Sequence, residues 1–229
     1  MTLTALQKQI VSCERCPRLI EHCRHIAQVK RRAYLDQTYW GRPVPSFGDS
    51  KARVLILGLA PGAHGANRTG RVFTGDSSGD LLYRVLYNTG FANQPESRWA
   101  DDGLQLTGAY ITAAAHCAPP DNKPSRDELL ACRPYLNQEL DLLRDVKVVV
   151  ALGRIAFDTY LEVLRARGIV STKSGFLFAH NHANQVAPNA PVLLASYHPS
   201  QQNTSTGRLT EHMLTQVFLK ARTLAGMDE

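Results

Sequence analysis

The sequence lacks any long apolar segment. Its longest apolar run, residues 146–152, is interrupted by Lys147 and falls far short of the roughly 20 apolar residues that span a bilayer. The first residues also lack a basic stretch followed by an apolar one, which is the pattern of a secretory signal. We therefore expect a cytoplasmic protein that does not associate with membranes.

Several catalytic signatures are missing as well. No lysine follows the glycines of the one glycine-rich loop, and Gly-x-Gly-x-x-Gly does not occur, so nucleotide-dependent enzymes are disfavoured. The absence of Gly-x-Ser-x-Gly, of His-Glu-x-x-His and of His-x-Glu with Pro-Cys-x-x-Cys disfavours serine hydrolases, zincins and zinc deaminases. The 16 glycines and 12 prolines follow no period, which excludes a repeat array.

The composition is that of a globular protein with a basic N-terminal part. Of the 229 residues, 44% are hydrophobic and 20% are charged, which predicts a sizeable core and, in our interpretation, a single domain over residues 1–229. The net charge is +6, and residues 1–42 hold eight basic and three acidic side chains, which is +5 of it. Such a local excess favours polyanions through counterion release, although a solvated basic face is the alternative.

Strand and helix patterns alternate along the chain. Four apolar runs followed by polar or glycine-rich loops predict strands at 53–59, 110–114, 146–152 and 192–196. Helical patterns cover 78–88, 125–143, 154–167 and 210–224. Ser125 and Glu128 form a capping box, and Pro134 should end or kink that helix. The alternation predicts an α/β fold, a three-layer α/β/α sandwich with a central four-stranded, mostly parallel sheet; residues 25–50 are expected to form an irregular connection packed on the core.

The five cysteines favour metal or redox chemistry over disulfides in a chain expected to be cytoplasmic. Cys13 and Cys16 form a Cys-x-x-Cys pair, and Cys117 and Cys132 form a wider pair with 14 residues between them. Cys23 is left over. Four thiolates suit either tetrahedral zinc or an iron–sulfur cluster, and the spacing alone does not distinguish the two. Five reduced core thiols are the remaining interpretation.

Two loops follow predicted strands, where sheets of this kind bind their ligands. The glycine-rich loop 58–76 offers the aromatic Phe73 and the carboxylate Asp76; its possible donors are His64, Asn67, Arg68 and Arg71. The alternative for this loop is a surface loop in which Asp76 or Ser77 caps the next helix. The polar loop 196–208 contains His198, whose ring could donate to developing negative charge at a strand end.

These segments resemble motifs of the uracil-DNA glycosylase superfamily, most closely its iron–sulfur type-b branch, also called family 5. The segment 58–62, Gly-Leu-Ala-Pro-Gly, resembles the first motif of that branch, 71–76 resembles its base-stacking segment, and 198–203 resembles its second motif, which approaches the minor groove. The resemblance covers nearly the whole chain. It implies a [4Fe–4S] cluster, with zinc as the alternative, and an N-terminal cluster-binding segment 1–50. The implied ligands are Cys13, Cys16, Cys117 and Cys132.

The resemblance also implies roles for the site residues. Ala60 stands where several relatives have Asp or Asn, and Leu59 stands where type-a relatives have Glu. The type-b branch shares this lack of a polar group, and the resemblance implies that Asp76 takes the water-positioning role. His198 is the second implied catalytic residue, because it can donate to the oxygen of the leaving base. The implied substrate-binding residues are Gly58, Ala60, Gly62, Phe73, Asn122 and Asn203, among which Phe73 stacks on the base, Asn122 reads its edge, and Asn203 with Arg208 holds the opened duplex.

The implied activity is hydrolysis of the N-glycosidic bond of uracil, with hypoxanthine and xanthine as further expected substrates, in DNA that is expected to be double-stranded. The protein is expected to act as a monomer. No lysine occurs in the loops concerned, which predicts a monofunctional glycosylase, since strand cleavage through a Schiff base needs an amine. Two alternatives are a non-catalytic, metal-stapled nucleic-acid-binding module and an iron–sulfur electron carrier.

Overall fold

The structure is a computed structural model that describes residues 1–227, so Asp228 and Glu229 lie outside it. A six-stranded sheet forms its centre, in the order β1-β3-β2-β4-β6-β5. The strands are β1 (Phe47–Gly48), β2 (Val54–Gly58), β3 (Ala109–Ala113), β4 (Val148–Leu152), β5 (Ala183–Asn184) and β6 (Val192–Ser196). All four predicted strands are present, but the expected four-stranded sheet is larger. The two additional strands are antiparallel edges of two residues each, too short to show a periodic pattern.

The four inner strands are parallel and covered on both faces. Ile56 in β2 is in register with Ile111 in β3 and with Val150 in β4. On one face Val54 and Ile56 pack in one apolar cluster with the helices over 77–88 and 211–225, while Leu55 and Leu57 pack in another with the helix over 154–166. This burial on both faces explains why the strands are continuous apolar runs. The predicted three-layer α/β/α arrangement is confirmed.

Eight α-helices are described within residues 1–227. They are α1 (Leu3–Val11), α2 (Pro17–Val29), α3 (Ala66–Thr69), α4 (Ser77–Asn88), α5 (Arg126–Leu142), α6 (Arg154–Ala166), α7 (Gln201–Ser205) and α8 (Glu211–Ala225). Short 3-10 turns cover Arg32–Tyr34 and Pro120–Asn122. The four predicted helices correspond to α4, α5, α6 and α8. No helix in the described part of the chain is long and apolar enough to span a bilayer.

Helix α5 matches the predicted segment 125–143 closely, and it is not interrupted at its proline. Ser125 and Glu128 form the capping box, with Ser125 Oγ accepting from the Glu128 N–H at 3.2 Å. Of the two expected effects of Pro134, ending or kinking the helix, the first is wrong, because α5 runs through Pro134 to Leu142. Proline removes the donor that would have bonded to the carbonyl of Leu130. Leu130 itself lies on an exposed part of the helix.

The N-terminal part is more regular than expected and is fastened to α5. Helix α2 extends to Val29, so the predicted irregular connection is irregular only beyond that residue. Arg18 in α2 donates to both carboxylate oxygens of Glu128, at 2.7 and 2.6 Å. Arg15 places its guanidinium 4.9 Å from the ring centroid of Tyr135. These contacts bring the first two cysteines beside the helix that carries Cys132.

Candidate active site

A cavity of about 830 Å³ opens at the carboxyl ends of the parallel strands. Its walls come from the loop after β2, the start of α4, the turn after β3 and the loop after β6. This is the edge where sheets of this type bind ligands. Two of the predicted site residues, Gly58 and Asn203, do not line it. The predicted residues that do are Ala60, Gly62, Phe73, Asp76, Asn122 and His198.

The two carboxylate oxygens of Asp76 have different surroundings. One caps a helix, and the other lies close to the backbone of the glycine-rich loop. Its Oδ1 accepts hydrogen bonds from the backbone N–H groups of Ser78 and Gly79, both at 3.0 Å, so Asp76 is the N-cap of α4. A Cβ on Gly62 would lie 2.8 Å from Oδ2, and one on Gly65 would lie 2.0 Å from it. The glycines of this loop therefore let the carboxylate approach the backbone. Asp76 therefore both caps α4 and lines the cavity.

Phe73 shows the same close approach to a glycine. A Cβ on Gly58 would lie 2.8 Å from both Cε2 and Cζ of the Phe73 ring, so only glycine admits the ring there. Phe73 itself has a φ of 51°, a left-handed conformation that is uncommon for an aromatic residue. Its ring centroid lies 6.0 Å from that of His198, with 33° between the ring planes. The Phe73 ring thus forms a flat wall of the cavity beside the histidine.

His198 follows β6 and is half-buried in the cavity. Burial lowers the pKa of His198, and the Asp76 carboxylate opposes part of that shift, so the imidazole is neutral at pH 7. The side-chain amide of Asn203 donates to the backbone carbonyl of His198 at 2.9 Å. Asn203 therefore stabilises the loop that carries His198.

Asn122 reaches the cavity from a tight turn after β3. Asp121 and Asn122 have φ values of 54° and 55°, a left-handed pair that short polar side chains tolerate. Both residues line the cavity and both are exposed. The Asn122 amide offers a donor and an acceptor to a bound group.

Sequence reasoning missed part of the lining. Only His64 of the four donors in the glycine-rich loop faces the cavity. Arg71 is buried and paired with Asp102 at 2.6 Å, and Asn67 donates to the backbone carbonyl of Cys23 at 3.3 Å. Loop composition does not indicate which side chains turn inward, and Arg31 and Tyr34, which are distant in sequence from the loops, carried no motif. The additional polar lining residues include Arg31, Tyr34, Asp121, Ser200, Gln201 and Gln202.

The four paired cysteines come together from three parts of the chain. Cys13 and Cys16 join α1 to α2, Cys117 follows β3, and Cys132 lies in α5. Burial, together with smaller contributions from nearby Cys13 and Cys16, raises the pKa of the Cys132 thiol to about 12. A hydrogen bond with Cys23 and burial raise the pKa of the Cys117 thiol. Without a bound cation these buried sulfurs would be protonated thiols.

The four cysteine side chains have the chemistry of a site for a soft metal, but they are not arranged to hold a single ion. Within residues 1–227, no three His, Cys, Asp or Glu side chains are placed to hold one metal ion. A tetrahedral zinc with bonds of about 2.3 Å needs its sulfurs about 3.8 Å apart. The backbone N–H of His116 donates to Cys132 Sγ at 3.4 Å, as amides commonly do to cluster thiolates. Four thiols with such a donor fit an iron–sulfur centre.

A second groove lies away from this site. Its volume is about 730 Å³, and α5, α6 and the loop before β6 line it with mostly apolar side chains. None of the predicted site residues belongs to its lining. The polar side chains that could act in catalysis, Asp76, Asn122 and His198, line the first cavity.

Comparison with known proteins identifies the relatives of this chain. Residues 45–222 match the family described as the Uracil DNA glycosylase superfamily. The type-5 uracil-DNA glycosylase of Thermus thermophilus is 48% identical over 227 residues, covering 99% of this chain and 100% of the relative. The type-5 enzymes of Mycobacterium bovis and Pyrobaculum aerophilum are 47% and 43% identical, covering 99% and 95% of this chain and 83% and 91% of their own. The resemblance found in the motifs is thereby confirmed, and the chain belongs to the uracil DNA glycosylase superfamily.

Proposed function

We propose that this protein removes uracil from DNA by hydrolysing the bond between the base and its deoxyribose. The observation that carries the proposal is the meeting of Asp76, Phe73 and His198 in one cavity at the carboxyl edge of the sheet. Relatives that cover 95–99% of the chain are named uracil-DNA glycosylases, which supports uracil as the substrate. Because a base in a duplex is stacked, the nucleotide must first leave the helix and enter this cavity.

Asp76 and His198 divide the electrostatic work. Oδ1 of Asp76 is held by α4, which leaves Oδ2 to orient a water molecule and to stabilise positive charge on the sugar. His198 is neutral at pH 7, and it donates an N–H to the base oxygen on which negative charge develops. The two groups thus stabilise opposite charges of the separating sugar and base.

The remaining predicted residues bind and select the base. Phe73 stacks on it, a contact worth about 1–3 kcal/mol, and the Asn122 amide pairs with its edge. Gly58 and Gly62 serve by admitting the Phe73 ring and the Asp76 carboxylate. Leu59 and Ala60 leave one wall apolar, which supports acceptance of hypoxanthine and xanthine as well.

The lining also supports a monofunctional reaction. No lysine occurs among the cavity residues, all of which lie in the described part of the chain. A Schiff base with the sugar would need such an amine. We assign the holding of the opened duplex to Asn203, which braces His198, and to Arg208, whose guanidinium lies 4.8 Å from the ring centroid of Tyr197.

We also propose that Cys13, Cys16, Cys117 and Cys132 hold a [4Fe–4S] cluster. The four soft donors support it, and the resemblance to the iron–sulfur branch favours it over zinc. When bound, the cluster supplies a cross-link and no redox step, since hydrolysis of a glycosidic bond needs none. Purified anaerobically, the protein should be brown with about four irons per chain. One zinc per chain without iron or acid-labile sulfide would contradict this.

The test of the function uses end-labelled duplexes with a single uracil, hypoxanthine, xanthine or normal thymine. Each is incubated with excess enzyme and divided into alkali-treated and untreated halves. We expect strand breaks at uracil after alkali only, and none at thymine. If no substrate acquires abasic sites but DNA binding is present and salt-sensitive, the protein is a nucleic-acid-binding module and not an enzyme. A covalent adduct trapped by borohydride would contradict the monofunctional route.

The wider organisation follows from the same interpretation. We infer one domain over residues 1–229, with 1–50 as its cluster-binding segment. The ion pair between Arg18 and Glu128 supports that segment's attachment to α5. Preference for double-stranded DNA, a monomeric state and a cytoplasmic location stay predictions of the sequence.

A further inference from the structure

His64 is a chemically active group of the cavity that the proposed reaction does not use. It lies in the loop after β2, three residues beyond the motif proline Pro61. We infer that His64 donates a hydrogen bond from Nε2 to a phosphate oxygen of the DNA strand that enters the cavity. The inference rests on the proposed function only in taking DNA as the ligand.

The hydrogen bonds of Tyr39 fix which ring nitrogen of His64 carries the proton. The Tyr39 hydroxyl accepts the backbone N–H of Arg31 at 3.3 Å and lies 3.0 Å from His64 Nδ1. Tyr39 is buried, so its own proton needs an acceptor, and Nδ1 is the one beside it. Nδ1 therefore accepts, and the proton of a neutral His64 sits on Nε2. Nε2–H is then free to bind a ligand in the cavity.

The charges around His64 point to an anion. Burial and the positive charges of Arg31 and Arg68 lower the pKa of His64, which keeps the ring neutral at pH 7. Arg68 is buried, and its guanidinium donates only to neutral acceptors, the backbone carbonyls of His64 and Gly75 and the amide oxygen of Gln37. None of the ion pairs within residues 1–227 neutralises Arg31 or Arg68.

The two histidines of the cavity therefore face opposite charges. The carboxylate of Asp76 acts on His198, whereas two arginines act on His64. A group that carries a full negative charge is attracted to the His64 side, and the phosphate is the anionic group of DNA. A neutral base carbonyl would gain less from the arginines.

The first test measures binding without catalysis. The ligand is a duplex with a tetrahydrofuran abasic analogue, which cannot be hydrolysed, and the variants are His64→Ala, His64→Gln and Tyr39→Phe. We expect His64→Ala to weaken binding about tenfold, as loss of one hydrogen bond to a charged group does. Glutamine retains an N–H donor and should stay within about threefold of the wild type. Tyr39→Phe, which frees the tautomer, should fall between them.

The second test locates the phosphate. Each of the phosphates flanking the abasic analogue is replaced in turn by a neutral methylphosphonate. One replacement should weaken binding by the wild type about tenfold and add little to His64→Ala, because the two changes remove the same contact. Additive losses at every phosphate would overturn the inference. So would His64→Ala binding as tightly as the wild type while releasing uracil more slowly, which would place His64 at the base.

Salt dependence separates a neutral donor from a cation. His64→Ala should lower affinity at every salt concentration without changing the slope of log binding constant against log salt concentration. Arg31→Ala should reduce that slope by about one released ion. A slope that changes equally in both variants would contradict a neutral His64. Because the wild type is assayed separately for uracil release, a binding protein without glycosylase activity would refute the proposed function and leave this inference standing.

Discussion

Replacing Gly65 by alanine tests whether the position of the Asp76 carboxylate sets the reaction rate. A Cβ on Gly65 would lie 2.0 Å from Asp76 Oδ2, so the carboxylate must retreat about 1.4 Å to reach an ordinary contact of 3.4 Å. That movement strains the two 3.0 Å hydrogen bonds of Oδ1. A misplacement of about 1 Å can cost about 100-fold in rate, which is about 2.7 kcal/mol. We expect a loss of that size.

The same change weakens the cap of α4, so the assay needs a control of matched stability. Loss of an N-cap costs about 1 kcal/mol, which lowers the Tm of a domain this size by about 2–4 °C. Gly168→Ala serves as the control because Gly168 has a φ of +70° and a Cβ there would meet no heavy atom within 4 Å. A left-handed alanine at this position costs about 1–2 kcal/mol far from the cavity.

The measurement is the single-turnover rate of uracil excision with enzyme in excess, well below the Tm of every variant. Gly168→Ala should match the wild type, and Gly65→Ala should be about 100-fold slower. If Gly65→Ala cleaves within threefold of the wild type while its Tm falls, the carboxylate position does not set the rate. Equal slowing in both variants would assign the effect to stability.

Three further predictions concern stability and the metal centre. Burial raises the pKa of Glu139 from 4.5 to about 7, so stability present below pH 4.5 is lost as the pH rises to 7. Glu139→Gln should therefore gain about 3 kcal/mol on the wild type between pH 4 and 8 in urea unfolding, and an unchanged difference would contradict the buried carboxyl. Cys132→Ser should lose its iron and visible absorption, whereas Cys23→Ala should retain them; loss from both would make Cys23 a ligand. Arg71→Met should lower stability by about 3–5 kcal/mol because it leaves Asp102 without its partner, and a Tm unchanged within 2 °C would refute that.

The central sheet could be predicted because its strands are buried on both faces. Residues 54–58 and 148–152 are continuous apolar runs with no solvent side, and glycine or polar residues follow each of them. The edge strands β1 and β5 could not be predicted, since two residues carry no period. Pro134 does not end α5, although proline removes one helical hydrogen bond and crowds the carbonyl four residues earlier. Whether a helix continues past a proline depends on its tertiary packing, which the local sequence does not show.

The candidate site divides along the same line. Asp76, Phe73 and His198 follow strand ends, so the topology of a parallel sheet was enough to bring them together. Tyr39 and Arg31 come from the irregular N-terminal connection, and no spacing rule links them to the loop after β2. The Arg71 side chain could donate hydrogen bonds to a ligand, yet it is buried in an ion pair with Asp102. Which polar side chain turns inward is decided by packing.

The most direct test of the central claim is the release of free uracil by the wild type and by Asp76→Asn. Asparagine caps a helix as well as aspartate, so the fold should be retained while the negative charge is lost. We predict one free uracil per duplex with the wild type and a rate at least 100-fold lower with Asp76→Asn, about 2.7 kcal/mol of barrier. No free uracil from the wild type, or release by Asp76→Asn within tenfold of it, would contradict the account.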